Sequence, residues 1–130
     1  MKEIKGIIPP VITPFKHNGS IDETLAAKEM KYTVSAGVHG ISIGGSTGEG
    51  PVLRDEKLKL LVTIAREQAG PELPVVCGVM RTCTRDAVAA GLAAKEAGAD
   101  GFFVGTAMIS LAKDLDKLRR EIYEYKTAAD

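Results

Sequence analysis

Apolar residues along the chain follow two alternating patterns. Short, continuous apolar runs alternate with longer segments whose apolar positions recur every three or four residues. The short runs predict strands buried on both faces, and the longer segments predict amphipathic helices. Predicted strands cover residues 6–13, 39–44, 74–79 and 101–104, and each precedes a predicted helix, over about 22–36, 54–69, 84–97 and 114–126.

Glycines punctuate this alternation. Gly37, Gly70 and Gly98 each end a predicted helix shortly before the next strand. The repeat is about 30 residues, the length of one βα unit. We therefore predict an α/β fold with a parallel sheet, built as one domain over residues 1–130. Four units fit either a small open doubly wound sheet or half of a (βα)₈ barrel, whose closed form takes about 250 residues.

The half-barrel alternative has a consequence for association. Its sheet would end in two open edges and would expose part of the apolar barrel interior. Such edges pair readily with another chain, which predicts a homo-oligomer formed through exposed strands. Pro9 and Pro10 in the first predicted strand further indicate a distorted strand or an edge position.

The turn after the second predicted strand is the strongest candidate for a binding site. It reads Gly45-Ser46-Thr47-Gly48-Glu49. The two glycines permit positive φ and a close approach of backbone to a ligand. The two hydroxyls can donate to a carboxylate or a phosphate, and in α/β folds ligands bind at the carboxyl ends of the strands. The alternative is a purely structural turn or helix cap.

Composition removes several other classes of function. Seventeen basic residues balance seventeen acidic ones, which gives no support for a nucleic acid or an anionic membrane as partner. No apolar run approaches the roughly 18 residues of a membrane span, and the first residues lack the apolar region of a signal peptide, so we expect a cytoplasmic protein. Cys77, Cys83, His17 and His39 do not have the spacing of a metal site, and we expect no disulfide.

Several segments in the same order resemble the dihydrodipicolinate synthase and N-acetylneuraminate lyase superfamily. They include the turn over residues 45–49 and the opening of the chain, with its Thr13-Pro14-Phe15. The resemblance covers nearly the whole chain, through residues 6–15, 19–22, 45–49, 53–57, 74–79, 84–87 and 96–101.

This resemblance implies the amino-terminal half of a (βα)₈ barrel enzyme. Family members form a Schiff base between a lysine and pyruvate or another 2-oxo acid, and then act as lyases or aldolases. Ser46 and Thr47, flanked by Gly45 and Gly48, would hold the 2-oxo acid carboxylate. Two adjacent hydroxyls and nearby N–H groups form a compact anion site. The resemblance implies no cofactor.

The catalytic residues of that family fall outside the matched part. By the resemblance, the lysine lies on a sixth strand and the tyrosine follows a fifth, so the chain alone is expected to be inactive and to contain no catalytic residue. The helical lysines are expected to be solvated, and only Lys16 lies on the ligand-binding rim. Residues 104–109 depart from the Pro-Pro-Tyr-Tyr-like segment of many members and are closer to the hydratase-aldolase and sugar-acid dehydratase subgroups.

Three further interpretations stay open. Arg81, just after the third predicted strand, either pairs with an acidic substrate or, as a loop arginine, bonds a helix carbonyl. The whole chain could instead be a self-associating module without chemistry. Residues 101–107 also resemble the strand and turn that cradle phosphate in many barrels, which would make the protein a binder of a phosphate ligand.

Overall fold

The computed structural model describes residues 2–104 and, beyond them, residues 116, 117, 120 and 123. Within residues 2–104, three α-helices alternate with three strands, and a short 3₁₀ helix over Gly50–Val52 follows the first strand. The elements are α1 (Glu23–Ser35), β1 (Ile41–Ile43), α2 (Asp55–Ala69), β2 (Val75–Gly78), α3 (Thr84–Glu96) and β3 (Gly101–Phe103).

The strands form one parallel sheet in the order β1-β2-β3. Ile41 lies opposite Val75, and Val76 lies opposite Gly101. Strands that are neighbours in sequence are therefore neighbours in the sheet. A barrel has this consecutive order, whereas a doubly wound sheet reverses direction at a switch point. The half-barrel alternative is the one that the fold supports.

The first predicted strand forms only in part. The segment runs parallel to β1 and meets it in a single bridge, between Pro10 and Ser42. Three backbone hydrogen bonds hold it there: His39 N–H to Ile7 O at 2.8 Å, Ser42 N–H to Pro9 O at 3.0 Å and Val11 N–H to Ser42 O at 2.9 Å. Pro9 and Pro10 have no N–H to donate, so the regular ladder cannot extend. The prediction of a complete strand was wrong, and that of a distorted one is confirmed.

The helices begin and end close to their predicted bounds. The Asp22 carboxylate caps α1 by accepting the Leu25 N–H at 3.0 Å. Helix α3 begins at Thr84, as predicted, and Cys83 takes the N-cap position without a capping side-chain bond. Helix α2 packs between α1 and α3 and also contacts β1 and β2. It buries its apolar face against the sheet through Leu58, Leu61, Val62, Ile64 and Ala65.

An ion-pair network closes the amino-terminal end of the sheet. The Asp100 carboxylate pairs with the Arg66 guanidinium and, at 3.0 Å, with Lys2 Nζ, and it accepts the Val75 N–H at 2.9 Å. Burial alone would raise the pKa of Asp100, but the Val75 N–H and the two cations together hold that pKa below its ordinary value. Arg66 also donates to the Gly98 carbonyl at 2.9 Å, so the group ties α2 to the start of β3.

The predicted fourth helix lies mostly outside the described residues, although the four described residues within it are helical. Residues 105–107 of the suggested phosphate turn also lie outside them. Among the described residues, no helix combines the length and the apolar character that crossing a bilayer requires.

Candidate functional site

The turn over residues 45–49 follows β1 directly, at the carboxyl end of the sheet. Ser46 and Thr47 are exposed, whereas Gly45 and Gly48 on either side are buried. The two hydroxyl-bearing residues therefore face solvent, while the buried glycines anchor the turn in the fold. This is the position in which parallel α/β folds bind their ligands.

Two backbone hydrogen bonds define the shape of the turn. Glu49 N–H donates to Ser46 O at 3.1 Å, and Gly50 N–H donates to Gly45 O at 2.9 Å. The first bond closes a four-residue turn with Thr47 and Gly48 at its centre. Glu49 has the left-handed backbone conformation, with φ of 57° and ψ of 30°, which is uncommon outside glycine. Its exposed carboxylate caps neither this turn nor the 3₁₀ helix that follows.

Gly45 and Gly48 matter more for close packing than for their ability to adopt positive φ. The sequence predicted positive φ at Gly45 and Gly48, but the positive values occur at Gly44 and Glu49 instead. A Cβ on Gly48 would lie 2.9 Å from the Val11 carbonyl oxygen, and a Cβ on Gly45 would lie 3.0 Å from the ring of Phe103. Gly48 therefore needs to be glycine because backbone approaches it closely, whereas a side chain at Gly45 would require the Phe103 ring to shift slightly.

Sequence reasoning missed one residue that supports the turn. The Thr13 hydroxyl donates to the Gly48 carbonyl at 2.7 Å, and Thr13 is only 4% exposed. The signal was a polar residue at the end of an apolar run, just before Pro14. The contact could not be read from the sequence because its partners are 35 residues apart.

Hydrogen-bond donors remain available at the turn. Across residues 2–104, no protein acceptor takes the Ser46 or Thr47 hydroxyl, nor the backbone N–H of Ser46, Thr47 or Gly48. A carboxylate accepts several such hydrogen bonds through its two oxygens. The arrangement can therefore hold a small anion with neutral donors on an ordered turn.

Of the two roles considered for Arg81, binding an acidic substrate or bonding within the protein, the structure shows the second. Its guanidinium pairs with the Asp55 carboxylate at 2.6 Å and donates to the Gly50 carbonyl at 3.4 Å and the Met80 carbonyl at 3.1 Å. The side chain is 13% exposed. Arg81 therefore ties the loop after β2 to the 3₁₀ helix that follows the turn and to the start of α2. These protein acceptors occupy the side chain that was a candidate for an acidic substrate.

The described lysines lie away from the interior of the sheet. Lys16 is exposed on the loop after the first segment, as expected for the rim. Lys57 donates to the Gly19 carbonyl at 2.7 Å and lies over the Phe15 ring, and Lys59 pairs with Glu96. None of these amines has the buried, desolvated setting of a Schiff-base nucleophile.

The two cysteines have different environments. Cys77 is fully buried in β2, and burial raises the pKa of its thiol to about 12 despite the nearby Arg81 charge. Cys83 is exposed, and both thiols are free. Within the part of the chain that is described, no group of three or more His, Cys, Asp or Glu side chains is arranged to hold a metal ion.

Comparison with known proteins extends these observations. A model of the dihydrodipicolinate synthetase family matches residues 3–106. A 4-hydroxy-tetrahydrodipicolinate synthase of Bartonella quintana is 38% identical over 103 residues, which make up 79% of this chain and 35% of that protein. An uncharacterized DapA-like lyase of Halobacterium salinarum is also 38% identical over 103 residues, or 79% of this chain and 34% of that protein. The chain thus spans about a third of the length of these curated relatives.

Solved structures give the same fold. The Clostridium difficile protein CdNal, in complex with mannosamine, superposes with a TM-score of 0.80 at 20% identity, over 99% of this chain and 44% of that one. The Escherichia coli K12 prophage protein YagE, in complex with pyruvate, gives a TM-score of 0.71 at 29% identity, over 89% of this chain and 41% of that one. The chain belongs to the dihydrodipicolinate synthetase family, and its parallel sheet and helices are a fragment of that family's (βα)₈ barrel.

Proposed function

We propose that this chain is a cytoplasmic, amino-terminal portion of a lyase or aldolase of this family, and that it binds the carboxylate of pyruvate or another 2-oxo acid. Ser46 and Thr47 donate their hydroxyls, and the backbone of Gly45 and Gly48 shapes the turn that carries them. The observation on which this proposal depends is the pair of exposed hydroxyls on a hydrogen-bonded turn at the carboxyl end of β1.

The chemistry of the turn suits a carboxylate. Hydroxyl and backbone N–H donors form charge-assisted bonds with an ionised acceptor, which are stronger than bonds between neutral groups. The similarity to YagE, whose structure contains pyruvate, supports a 2-oxo acid as the ligand class. Because all the donors at the turn are neutral, we expect modest affinity, with a Kd on the order of 1 mM.

We further propose that the 130-residue chain forms no Schiff base by itself. An amine acts as a nucleophile at neutral pH only when desolvation or a neighbouring cation lowers its pKa. None of the described lysines is buried, and some have protein partners, as Lys57 and Lys59 illustrate. Treatment with pyruvate and borohydride, followed by mass spectrometry, tests this directly. A reduced pyruvate adduct on any lysine would refute the proposal.

Carboxylate binding is tested by titrating pyruvate into the ¹⁵N-labelled chain. We expect the Thr47 and Gly48 amide resonances to shift. Ser46→Ala and Thr47→Val should each weaken binding about tenfold or more, since each removes one hydrogen bond to a charged group, which is worth about 1.5–3 kcal/mol. Ser35→Ala and Thr63→Val are matched controls because these exposed hydroxyls donate to helix carbonyls, of Tyr32 and Lys59, away from the turn.

The control variants distinguish the loss of specific hydrogen bonds to the ligand from a general effect of substitution on the fold. Equal loss of binding in the control variants, or no shift of the turn amides at tens of millimolar pyruvate, would contradict the proposed site. Acetate, which shares the carboxylate but has no 2-oxo group, shows whether the turn recognises the anion alone.

A second candidate function is a self-associating module without chemistry. The observation that favours it is the exposure of apolar side chains along the first extended segment, where Ile7 is 67% exposed and Ile12 is 50% exposed. Exposed apolar residues on an incompletely paired segment favour pairing with a second copy. We propose a homo-oligomer through this edge, and sedimentation analysis of the Ile7→Lys, Ile12→Lys double variant should show a smaller mass than the wild type.

Oligomerisation alone does not separate the two candidates, because an incomplete barrel associates under both. The pyruvate titration does separate them. The third interpretation, a phosphate binder at residues 101–107, depends in part on residues 105–107, which lie outside the described part. Titration with inorganic phosphate tests it, with a shift of the Gly105 amide as the expected sign.

A further inference from the structure

The Thr13 side chain is the buried polar group beside the candidate site. Among the residues that the structure describes, Thr13 is the buried residue with a polar side chain, and its hydroxyl donates to the Gly48 carbonyl at 2.7 Å. This distance is typical of a well-formed hydrogen bond from a hydroxyl donor. Valine has nearly the same shape, so packing alone does not require a hydroxyl at this position.

One peptide plane links the hydroxyl to the turn. The Gly48 carbonyl and the Glu49 N–H belong to the same rigid unit and point in opposite directions. When the carbonyl points to Thr13, the N–H points to Ser46 O, which it reaches at 3.1 Å. The bond from Thr13 therefore fixes the plane that closes the turn around Thr47.

Without the bond from Thr13 to the Gly48 carbonyl, the turn is expected to change conformation. Glu49 is held in the left-handed conformation, which a non-glycine residue adopts only when its surroundings require it. The Gly48 carbonyl would also lose its buried partner. Rotation of the Gly48–Glu49 peptide would release Glu49 from the left-handed conformation and let the Gly48 carbonyl find another partner. It would also break the Glu49 N–H bond to Ser46, which holds the two hydroxyls in place.

We propose that Thr13 is a positioning residue for the 2-oxo acid carboxylate and acts through the Gly48 carbonyl. This inference rests on the proposed carboxylate site at Ser46 and Thr47. Thr13 belongs to the first βα unit and the turn to the second, so the ligand site depends on contact between two units. Thr13 itself is buried and does not touch the ligand.

The test compares Thr13→Val, which removes the hydroxyl, with Thr13→Ser, which keeps it. Thr33→Val is the matched control, because Thr33 also donates its hydroxyl to a backbone carbonyl, that of Glu29 at 2.9 Å, but lies on α1. We expect Thr13→Val to weaken pyruvate binding about tenfold, while Thr13→Ser stays within about threefold of wild type and Thr33→Val is unchanged.

A second readout needs no ligand. Amide hydrogen exchange at Glu49 and Gly50 should accelerate in Thr13→Val and stay near wild type in Thr13→Ser and Thr33→Val. A purely structural role would lower the stability of the domain without this local change. If Thr13→Val does not fold, Thr13→Cys gives the comparison, because its thiol is a weaker donor in a similar volume.

The outcomes separate this inference from the proposed function. A wild-type chain that binds no pyruvate refutes the proposed site, whereas the exchange measurement still tests the role of Thr13. Unchanged exchange at Glu49 in Thr13→Val, or equal loss of pyruvate affinity in Thr13→Val and Thr33→Val, overturns the inference.

Discussion

Substitution of Gly50 by alanine should disrupt the candidate site for a steric reason that the structure quantifies. A Cβ at this position would lie 1.8 Å from the Gly44 carbonyl oxygen, far inside van der Waals contact, so the backbone must move. Three hydrogen bonds at Gly50 are then at risk: its N–H to Gly45 O at 2.9 Å, Leu53 N–H to its carbonyl at 3.2 Å, and Arg81 to the same carbonyl at 3.4 Å. At about 1 kcal/mol each, their loss predicts a destabilisation of about 3 kcal/mol.

Two other glycines provide controls that separate sterics from backbone strain. Gly37 has a φ of +76° but open space around its Cβ position, so Gly37→Ala should cost about 1–2 kcal/mol. Gly91 lies inside α3, where a Cβ would meet only Val79 at an ordinary 3.8 Å, so Gly91→Ala should stabilise by about 0.5–1 kcal/mol. Urea unfolding of the three variants measures the series. A Gly50→Ala variant no less stable than Gly37→Ala would refute the steric reasoning.

Three further predictions concern single residues. Asp100→Asn should cost about 1–3 kcal/mol near neutral pH because charge-assisted bonds to Arg66 are lost. Since the pKa of Asp100 is lowered on folding, its stabilising contribution is complete above the unfolded-state pKa of roughly 4 and is lost as the pH falls through the lower folded-state pKa. Equal sensitivity of wild type and variant to acid unfolding would contradict this expectation. A thiol reagent should modify exposed Cys83 rapidly, and Cys77, with its pKa raised to about 12, only upon unfolding, as peptide mass mapping will show. Glu49→Gly should raise the free energy of unfolding by up to about 1 kcal/mol, because glycine adopts the left-handed conformation without strain. A lower free energy of unfolding, measured with urea, would instead show that the Glu49 side chain makes a stabilising contact.

Much of the fold could be predicted from local patterns. The alternation of apolar runs and helical periods gave three strands and three helices in the order observed, because both patterns depend on neighbours within about one element's length. Asp22 was recognisable as a helix cap for the same reason, since its partner, Leu25, is three residues away. The first strand was the exception. Its apolar run predicts a full strand, but Pro9 and Pro10 remove the donors that a regular ladder needs.

The candidate site was predictable only in its residue types. The hydroxyls of Ser46 and Thr47 and their place after a strand are local features. Their support is not, because Thr13 and Arg81 reach the turn from 35 and 31 residues away in sequence. A single sequence contains no signal for such pairs, and Arg81 in particular had two open interpretations. The structure decided between them through the acceptors around its guanidinium.

These contacts also explain why binding and catalysis are separate questions for this chain. The turn is supported on one side by Thr13 and on the other by Arg81, and both supports lie within the described part of the sheet. We therefore propose that the Ser46 and Thr47 donors keep their geometry without a closed barrel. Covalent chemistry has a different requirement, an amine desolvated close to the bound ketone, which no described lysine meets. Carboxylate binding without Schiff-base formation is therefore the combination that we propose for the 130-residue chain.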